Sequence, residues 1–325
     1  MVSKAHPLSQ LKGSIKISKK LQEFMSLIGQ SQVFKDGEEL FLKMMGIEVS
    51  GMQIQRVSEC YGEHIESRQQ AYIEEGESAP AIADKENDTV YIEADGGMIF
   101  TREEGWKEMK VGRIFAQKDC IQIQDKRNEI IKSQYVCHLG NHEGFLKKLE
   151  CYADDYKKKV CIADGATWIW NWVESAYPEA IQILDFYHAV EKLGHYASFQ
   201  ITDQSDRKCW LDKQKKCLMK NKVNEIVDRL AMETGRTPEA EKARNDAIRY
   251  YRNNLKRMQY KTFKKLGYMI GSGPIESAHR NVVQQRLKLS GQKWSIKGAQ
   301  RIVNLRAYQK SSRWNEVVEI IKMAA

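Results

Sequence analysis

The sequence predicts an α/β fold: a mixed sheet flanked by helices, with a helical region before it and a long helical stretch within it. Three observations predict it. Near residue 89 the apolar periodicity switches from 3.6, the period of a helix, to 2, the period of a strand. Two short apolar strands are then each followed by an aspartate and a helix, in "KVCIADGATWIWNWVESAYPEA" and "IQILDFYHAVEKL". From about residue 189 to 265 no strand pattern is visible, only basic, interrupted helical sequence.

Composition bounds the rest. The 325 residues suffice for two or three domains, or one domain with a large insertion, and 42% hydrophobic content allows a sizeable core. Five prolines and no Gly/Ser-rich tract argue against long disorder. No run of about 18 apolar residues spans a membrane, and "MVSKAHPLSQLKGSIK" lacks the apolar stretch of a secretory signal. Seven cysteines without regular spacing suggest a reducing compartment, so a cytoplasmic protein is expected.

Charge is divided unevenly. Residues 1–188 hold 23 Lys+Arg against 30 Asp+Glu, a net of −7, whereas residues 189–325 hold 29 against 13, a net of +16. An acidic half joined to a strongly basic half points to a polyanion partner, a nucleic acid, gripped by the C-terminal part. The plainer reading is a solvated basic surface.

Residues 1–71 are expected to be helical. "DGEELFLKMMGIEVSGMQIQRVSECYG" reads as helix, Gly-containing turn and helix with Ser50 as N-cap, an outline that fits a helix-turn-helix or any helical hairpin. The acidic, turn-rich residues 72–88 read as a linker. In "DTVYIEADGGMIF", Val90, Ile92 and Ala94 alternate with Tyr91 and Glu93, and Asp95-Gly96-Gly97 reads as a hairpin turn between two strands. Further strands are expected from Met109 and from Ser133, a helix over 141–157, and strands at 159–163 and 181–184. The core is thus expected to begin at 89–188, to be interrupted by a basic helical insertion at 189–270, and to close with helices at 271–325.

Asp95 and Asp164 are each read at the end of an apolar strand, and ligands gather beyond strand ends in open α/β sheets. Glu276 heads a helix behind Gly271, Ser272, Gly273 and Pro274, and the next acid is Glu316. Helix-dipole capping accounts for such an acid. The sharper reading is a third ligand. Three crowded carboxylates need a cation, and hard oxygen donors favour two Mg²⁺ or Mn²⁺ ions, about 3.5–4 Å apart in phosphodiester chemistry.

The blocks "EADGGMIFTREEGWKEMKVGRIF", "IADGATWIWNWVESAYPEAIQILDFYHAVEKL" and "GSGPIESAHRNVVQQRLKLSGQKWS" carry a resemblance. Over about residues 89–310 the chain resembles the Kra-type transposases of bacterial insertion sequences, DDE enzymes related to Mutator-like transposases. The resemblance implies an RNase H-like fold with a helical insertion, and Asp95, Asp164 and Glu276 as first, second and third metal-binding acids. It also implies double-stranded DNA as partner, at element ends and target, a homo-oligomer on that DNA, and a place at the nucleoid. Relatives carry a longer, often Cys-rich N-terminal region, so a shortened copy is expected here.

Other residues are open to two readings. Asp185 and His188 either support the active site or form a helix N-cap and a packed histidine, and Asp185 rivals Asp164 for the second metal position. Trp168, Trp170 and Trp172 suit base stacking or core packing. Cys137, His138 and His142 hint at zinc but lack a fourth ligand. Arg280, Arg286, Lys288, Lys293 and Trp294 are candidate DNA contacts, although Arg280 also suits an i, i+4 pair with Glu276 and Trp294 a helix anchor. Three functions remain in view: transposition, non-catalytic DNA binding, and another RNase H-like nuclease.

Overall fold

The computed structural model describes residues 17–124 and 127–323; the expectations for residues 1–16 lie outside the described residues. In chain order come α1 (Lys19–Ser31), α2 (Phe34–Met45), α3 (Gly51–Glu75), β1 (Thr89–Thr101), β2 (Gly105–Ala116), β3 (Cys120–Gln124), β4 (Arg127–Ile130), β5 (Gln134–Leu139) and α4 (His142–Ala153). Then follow β6 (Lys158–Ala163), α5 (Thr167–Ala176), β7 (Ile181–Leu184), α6 (Phe186–Gln200), α7 (Gln204–Leu218), α8 (Val223–Met232), α9 (Pro238–Asn254) and α10 (Tyr260–Lys265). The chain closes with α11 (Gly273–Ala278), a π-helical turn (His279–Gln284), α12 (Gln285–Leu287), α13 (Ile296–Lys310) and α14 (Trp314–Met323).

The class is the expected one: an α/β fold, about 60% helical, with a mixed five-stranded sheet flanked by helices and helices at its N-terminal side. The strand order is β5-β2-β1-β6-β7, with β2 and β5 antiparallel and β6 and β7 parallel. The ribbon β3–β4, unanticipated in the sequence, pairs apart from it.

One expectation is corrected. Asp95-Gly96-Gly97 is not a turn; β1 runs straight through it, and the chain turns at residues 102–104 before Gly105 at φ 70°. Tyr91 and Glu93, which alternate with Val90, Ile92 and Ala94, are both 0% exposed, like Val90. This part of β1 is buried on both faces, as befits a sheet covered by helices on both sides.

Two compact units divide the chain: residues up to Val90 with Asp95–Lys157 and the part from Ile275, and Tyr91–Ala94 with Lys158–Pro274. β6 and β7 fall in the second unit with the helical stretch 189–270, and β2 and β5 in the first.

In the first unit α13 is the central post. One side packs Ala299, Ile302 and Val303 against Ile99 of β1, Met109 and Val111 of β2, and Val282 and Val283. The other puts Leu305 and Tyr308 among Ile54, Val57, Tyr61 and Ile65 of α3 and Met25 of α1. A Cβ on Gly62 would come within 2.2 Å of the Arg301 carbonyl oxygen, so glycine lets α3 and α13 meet backbone to backbone. Ser50 caps α3 in a capping box with Gln53, worth about 1 kcal/mol. Residues 72–75 belong to α3, and the segment beyond it is tied down: Ala79 N–H donates to the Cys151 carbonyl at 2.8 Å and Ile82 N–H to the Tyr156 hydroxyl at 2.9 Å.

In the second unit β6 and β7 carry Val160, Ile162, Ile183 and Leu184, all 0% exposed. Helix α9 packs along α6, and the Tyr251 hydroxyl donates to the Ala189 carbonyl at 2.8 Å.

Candidate active site

Within the first unit, Asp95 sits half-buried on β1. Its Oδ1 accepts the Gly96 N–H at 2.7 Å, and its Oδ2 lies 3.4 Å from His279 Nε2. Both glycines after it serve close approach rather than a turn. A Cβ on Gly96 would strike the Glu108 carboxylate, and one on Gly97 would come within 3.0 Å of the His279 ring. Glu108 in turn pairs with Lys110, which also donates to the Gly140 carbonyl at 3.0 Å.

His279 stands one turn after Glu276, where α11 gives way to the π-helical turn. Such turns interrupt the regular ladder and often mark functional positions. Glu276 is exposed in the first turn of α11, and among the described residues it forms no ion pair with Arg280. Two of the three predicted acid blocks therefore meet here, Asp95 against the turn that follows Glu276. The sequence reading missed His279 and Glu108. The i, i+3 spacing in "ESAH" was the available signal for His279; none marked Glu108.

Within the second unit, Asp164 directly follows β6 and is half-buried. Its Oδ1 accepts the Ala166 N–H at 2.9 Å, and its backbone carbonyl accepts the Trp170 indole N–H at 2.9 Å. A Cβ on Gly165 would overlap the ring of Tyr250, whose hydroxyl is buried without a hydrogen-bond partner. Burial raises the Tyr250 phenol, helped by the charges of Asp164, Asp185 and Glu191. The cavity beside it, about 560 Å³, is lined by Trp170, Asn171, Lys192, Arg249, Tyr250 and Arg257. Arg257 is stacked 4.4 Å over Trp170 and also bonds Glu174, Gln182 and Asn254. Trp170 and Trp172 are buried and Trp168 half-buried, so the tryptophan helix is chiefly packed.

Asp185, 1% exposed, is the N-cap of α6. One oxygen accepts the His188 N–H at 2.6 Å and the other accepts the Ser272 N–H, while Phe186 N–H donates to the Ile270 carbonyl at 2.9 Å. The start of α6 thereby clamps the loop at 270–272. Burial pushes the Asp185 carboxyl up, but the hydrogen bonds from His188 and Ser272 outweigh it and hold it below the usual carboxylate value. His188 Nδ1 lies 3.3 Å from Asp185 Oδ1, at ion-pair distance without hydrogen-bond alignment. Asp185 raises its pKa to about 9 against the opposing effect of burial. Both Asp185 oxygens accept backbone N–H groups, which gives it the capping role at the head of α6.

The basic candidates separate. Arg280, Lys288 and Lys293 are exposed. Arg286, at 1% exposure, and Trp294, at 7%, are buried. The Arg286 guanidinium lies 4.7 Å from the Phe34 and Trp294 rings and donates to the Gly29 carbonyl at 3.1 Å. Trp294 donates its indole N–H to the Leu287 carbonyl at 3.1 Å.

Asp95, Asp164 and Glu276 present accessible hard oxygen donors, the chemistry that suits Mg²⁺ or Mn²⁺. Among the described residues no three His, Cys, Asp or Glu side chains are gathered as a ligand group. Burial pushes the Cys137 thiol up to about 12 and the His138 imidazole down to about 4, and His142 is exposed at the start of α4. No helix among the described residues is long and apolar enough to cross a membrane.

A comparison with curated proteins gives no match. The model of an uncharacterised protein family, UPF0236, matches residues 48–323, from the end of the α2–α3 turn to α14 and through every residue of the candidate site; the chain belongs to that family.

Proposed function

We propose that this chain is a DDE transposase with an RNase H-like core, cleaving DNA at the ends of an insertion sequence and joining those ends to a target. The observation that carries the reading is the approach of Asp95 to His279, one turn from Glu276. It joins two sequence-distant acid blocks; Asp95 and Asp164 are half-buried and Glu276 is exposed. The resemblance in all three blocks supports the same reading.

In this proposal Asp95, Asp164 and Glu276 hold Mg²⁺ or Mn²⁺. The bound ions supply activation of the attacking oxygen and charge stabilisation at the leaving one. The chain's own residues do the rest. The Ala166 N–H fixes the Asp164 carboxylate, His279 orients that of Asp95, and exposed Arg280, Lys288 and Lys293 grip DNA phosphates. Two element ends call for more than one copy on the DNA, and the place of action is the nucleoid.

Glu276→Gln is the test. It preserves size and removes the charge. Mg²⁺-dependent nicking and strand transfer are expected to fall by at least about a hundredfold, with DNA binding retained and the thermal midpoint unchanged. Full activity in this variant would overturn the assignment and leave Glu276 as a dipole cap, worth under about 1 kcal/mol. Metal-dependent nicking without strand transfer in the unaltered protein would favour a simple nuclease. DNA binding without either would favour a non-catalytic protein.

A further inference from the structure

A second site lies in the first unit, and nothing in it depends on the catalytic proposal. A small cavity of about 140 Å³ is lined by Phe34, Arg102, Arg286, Gln292, Lys293 and Ser295, with no carboxylate among its lining residues. That is well below the roughly 300 Å³ at which pockets for larger organic ligands begin. Its chemistry is cationic on several independent counts.

The first is Arg286. Its side chain is 1% exposed, and its Nη2 has no hydrogen-bond partner. No carboxylate among the described residues forms an ion pair with it; Asp36 acts on it only through its charge. Burial lowers its pKa to about 10, assisted by the nearby Arg306. A guanidinium at that value is still charged at neutral pH. A buried, charged and incompletely bonded group is expensive unless an anion completes it.

The second is the start of α2. Val33 is its N-cap and offers no side-chain cap, so the first N–H groups of a 12-residue helix open at residues that line the cavity, with Asp36 in the same first turn. The third is the pair Arg102 and Lys293, both exposed. They are held by backbone geometry: Arg102 N–H donates to the Trp294 carbonyl at 2.8 Å and Arg102 Nε to the Lys293 carbonyl at 3.1 Å. The α13 end at Ser295 is less free, since Ser295 Oγ already accepts the Gly298 N–H and Glu103 the Ile296 N–H.

We propose that this cavity binds a phosphate group, completing Arg286 from within and meeting Arg102, Lys293 and the first N–H groups of α2 at its mouth. Guanidinium and helix N-terminus together form a strong phosphate receptor. The phosphate belongs either to a nucleic-acid backbone or to a small phosphorylated molecule.

The test uses the full chain with inorganic phosphate, at constant ionic strength with chloride as reference. Phosphate is expected to raise the thermal midpoint and to give a measurable calorimetric affinity. The double variant Arg102→Gln/Lys293→Gln changes only exposed side chains, and its phosphate affinity is expected to drop about tenfold or more. Arg286→Met removes the buried charge, and in a folded protein it is expected to abolish binding; the exposed pair keeps the test intact should that variant fail to fold. A short DNA duplex is then added as competitor. Displacement of phosphate by DNA identifies a backbone phosphodiester as the occupant, whereas binding unaffected by DNA identifies a free phosphate or phosphomonoester. Phosphate acting no better than chloride, or binding the double variant equally well, would overturn the proposal.

Discussion

His279 Nε2 stands 3.4 Å from Asp95 Oδ2, across the gap between strand β1 and the π-helical turn behind Glu276. The histidine is 6% exposed, and Gly97 on β1 leaves just enough room for its ring. Strand, glycine and helical turn therefore form one arrangement, and disturbing any member should disturb the acid at its centre.

Gly97→Ala tests that arrangement directly. The added Cβ would sit within 3.0 Å of the ring, so ring or strand must shift. Stability is expected to drop by about 1–3 kcal/mol, read as a lower denaturant midpoint. Under the proposed function, nicking should fall as well while DNA affinity holds. A variant as stable and active as the parent would show that the His279 contact is dispensable.

The ion pair at the head of α6 makes a prediction about pH. Folding raises the pKa of His188 from 6.5 to about 9, so its charged form is favoured in the folded state. That contribution is complete below pH 6.5 and is lost as the pH rises through about 9. Asp185 shifts in the opposite direction, so its contribution is present above its ordinary value of 3.8 and is lost only in stronger acid. The His188 side chain is 35% exposed, and solvent screening reduces its share to about 1 kcal/mol. Stability measured from pH 6 to 9.5 should decline by that amount, and the decline should be missing in His188→Gln.

Arg306 supports the π-helical turn from inside. It donates to the Val282 and Gln30 carbonyls, each at 2.6 Å, and to that of Asn281. A side chain from α13 thus bonds two carbonyls of the π-helical turn and one from the last turn of α1. Arg306→Lys retains the charge but not the fork. We expect it to cost about 3 kcal/mol or more, close to Arg306→Met, because several buried acceptors lose donors together. Chemical unfolding of the two variants side by side checks this; a lysine variant of parental stability would refute it.

Salt dependence sorts surface cations from buried ones. Under the DNA-binding reading, Arg280→Gln and Lys288→Gln should each reduce the slope of log affinity against log salt by about 0.9 if they neutralise one phosphate. Arg313→Gln should leave the slope unchanged, because Arg313 is 8% exposed, paired with Glu316 and stacked on Tyr152 and Tyr308. Titrations at several salt concentrations measure all three.

Much of the fold was legible because its signals are local. Ser50 and Gln53 cap α3 by themselves, Pro178 stands just beyond the end of α5, and the apolar runs before Asp164 and Asp185 could only be buried strands. The N-cap role of Asp185 was likewise among the readings a single sequence allows. The ribbon β3–β4 escaped because its β3 residues are mostly exposed and carry no apolar alternation against a core.

The amino-acid sequence by itself determined the class of fold, the strand–aspartate–helix units around Asp164 and Asp185, and the exposed first-turn position of Glu276. Each rests on propensity, capping or periodicity within a few residues. Tertiary structure alone decided what Gly96 and Gly97 are for, since only Glu108 and His279, brought from elsewhere, make their missing side chains necessary. It also decided which cations of the basic C-terminal tract face water. Arg280, Lys288 and Lys293 do, whereas Arg286, Arg306 and Arg313 are buried among carbonyls, aromatic rings and Glu316. The physical reason is the same in both cases: a residue's type sets what it can bond, but only the packing around α13 and β1 sets what it meets.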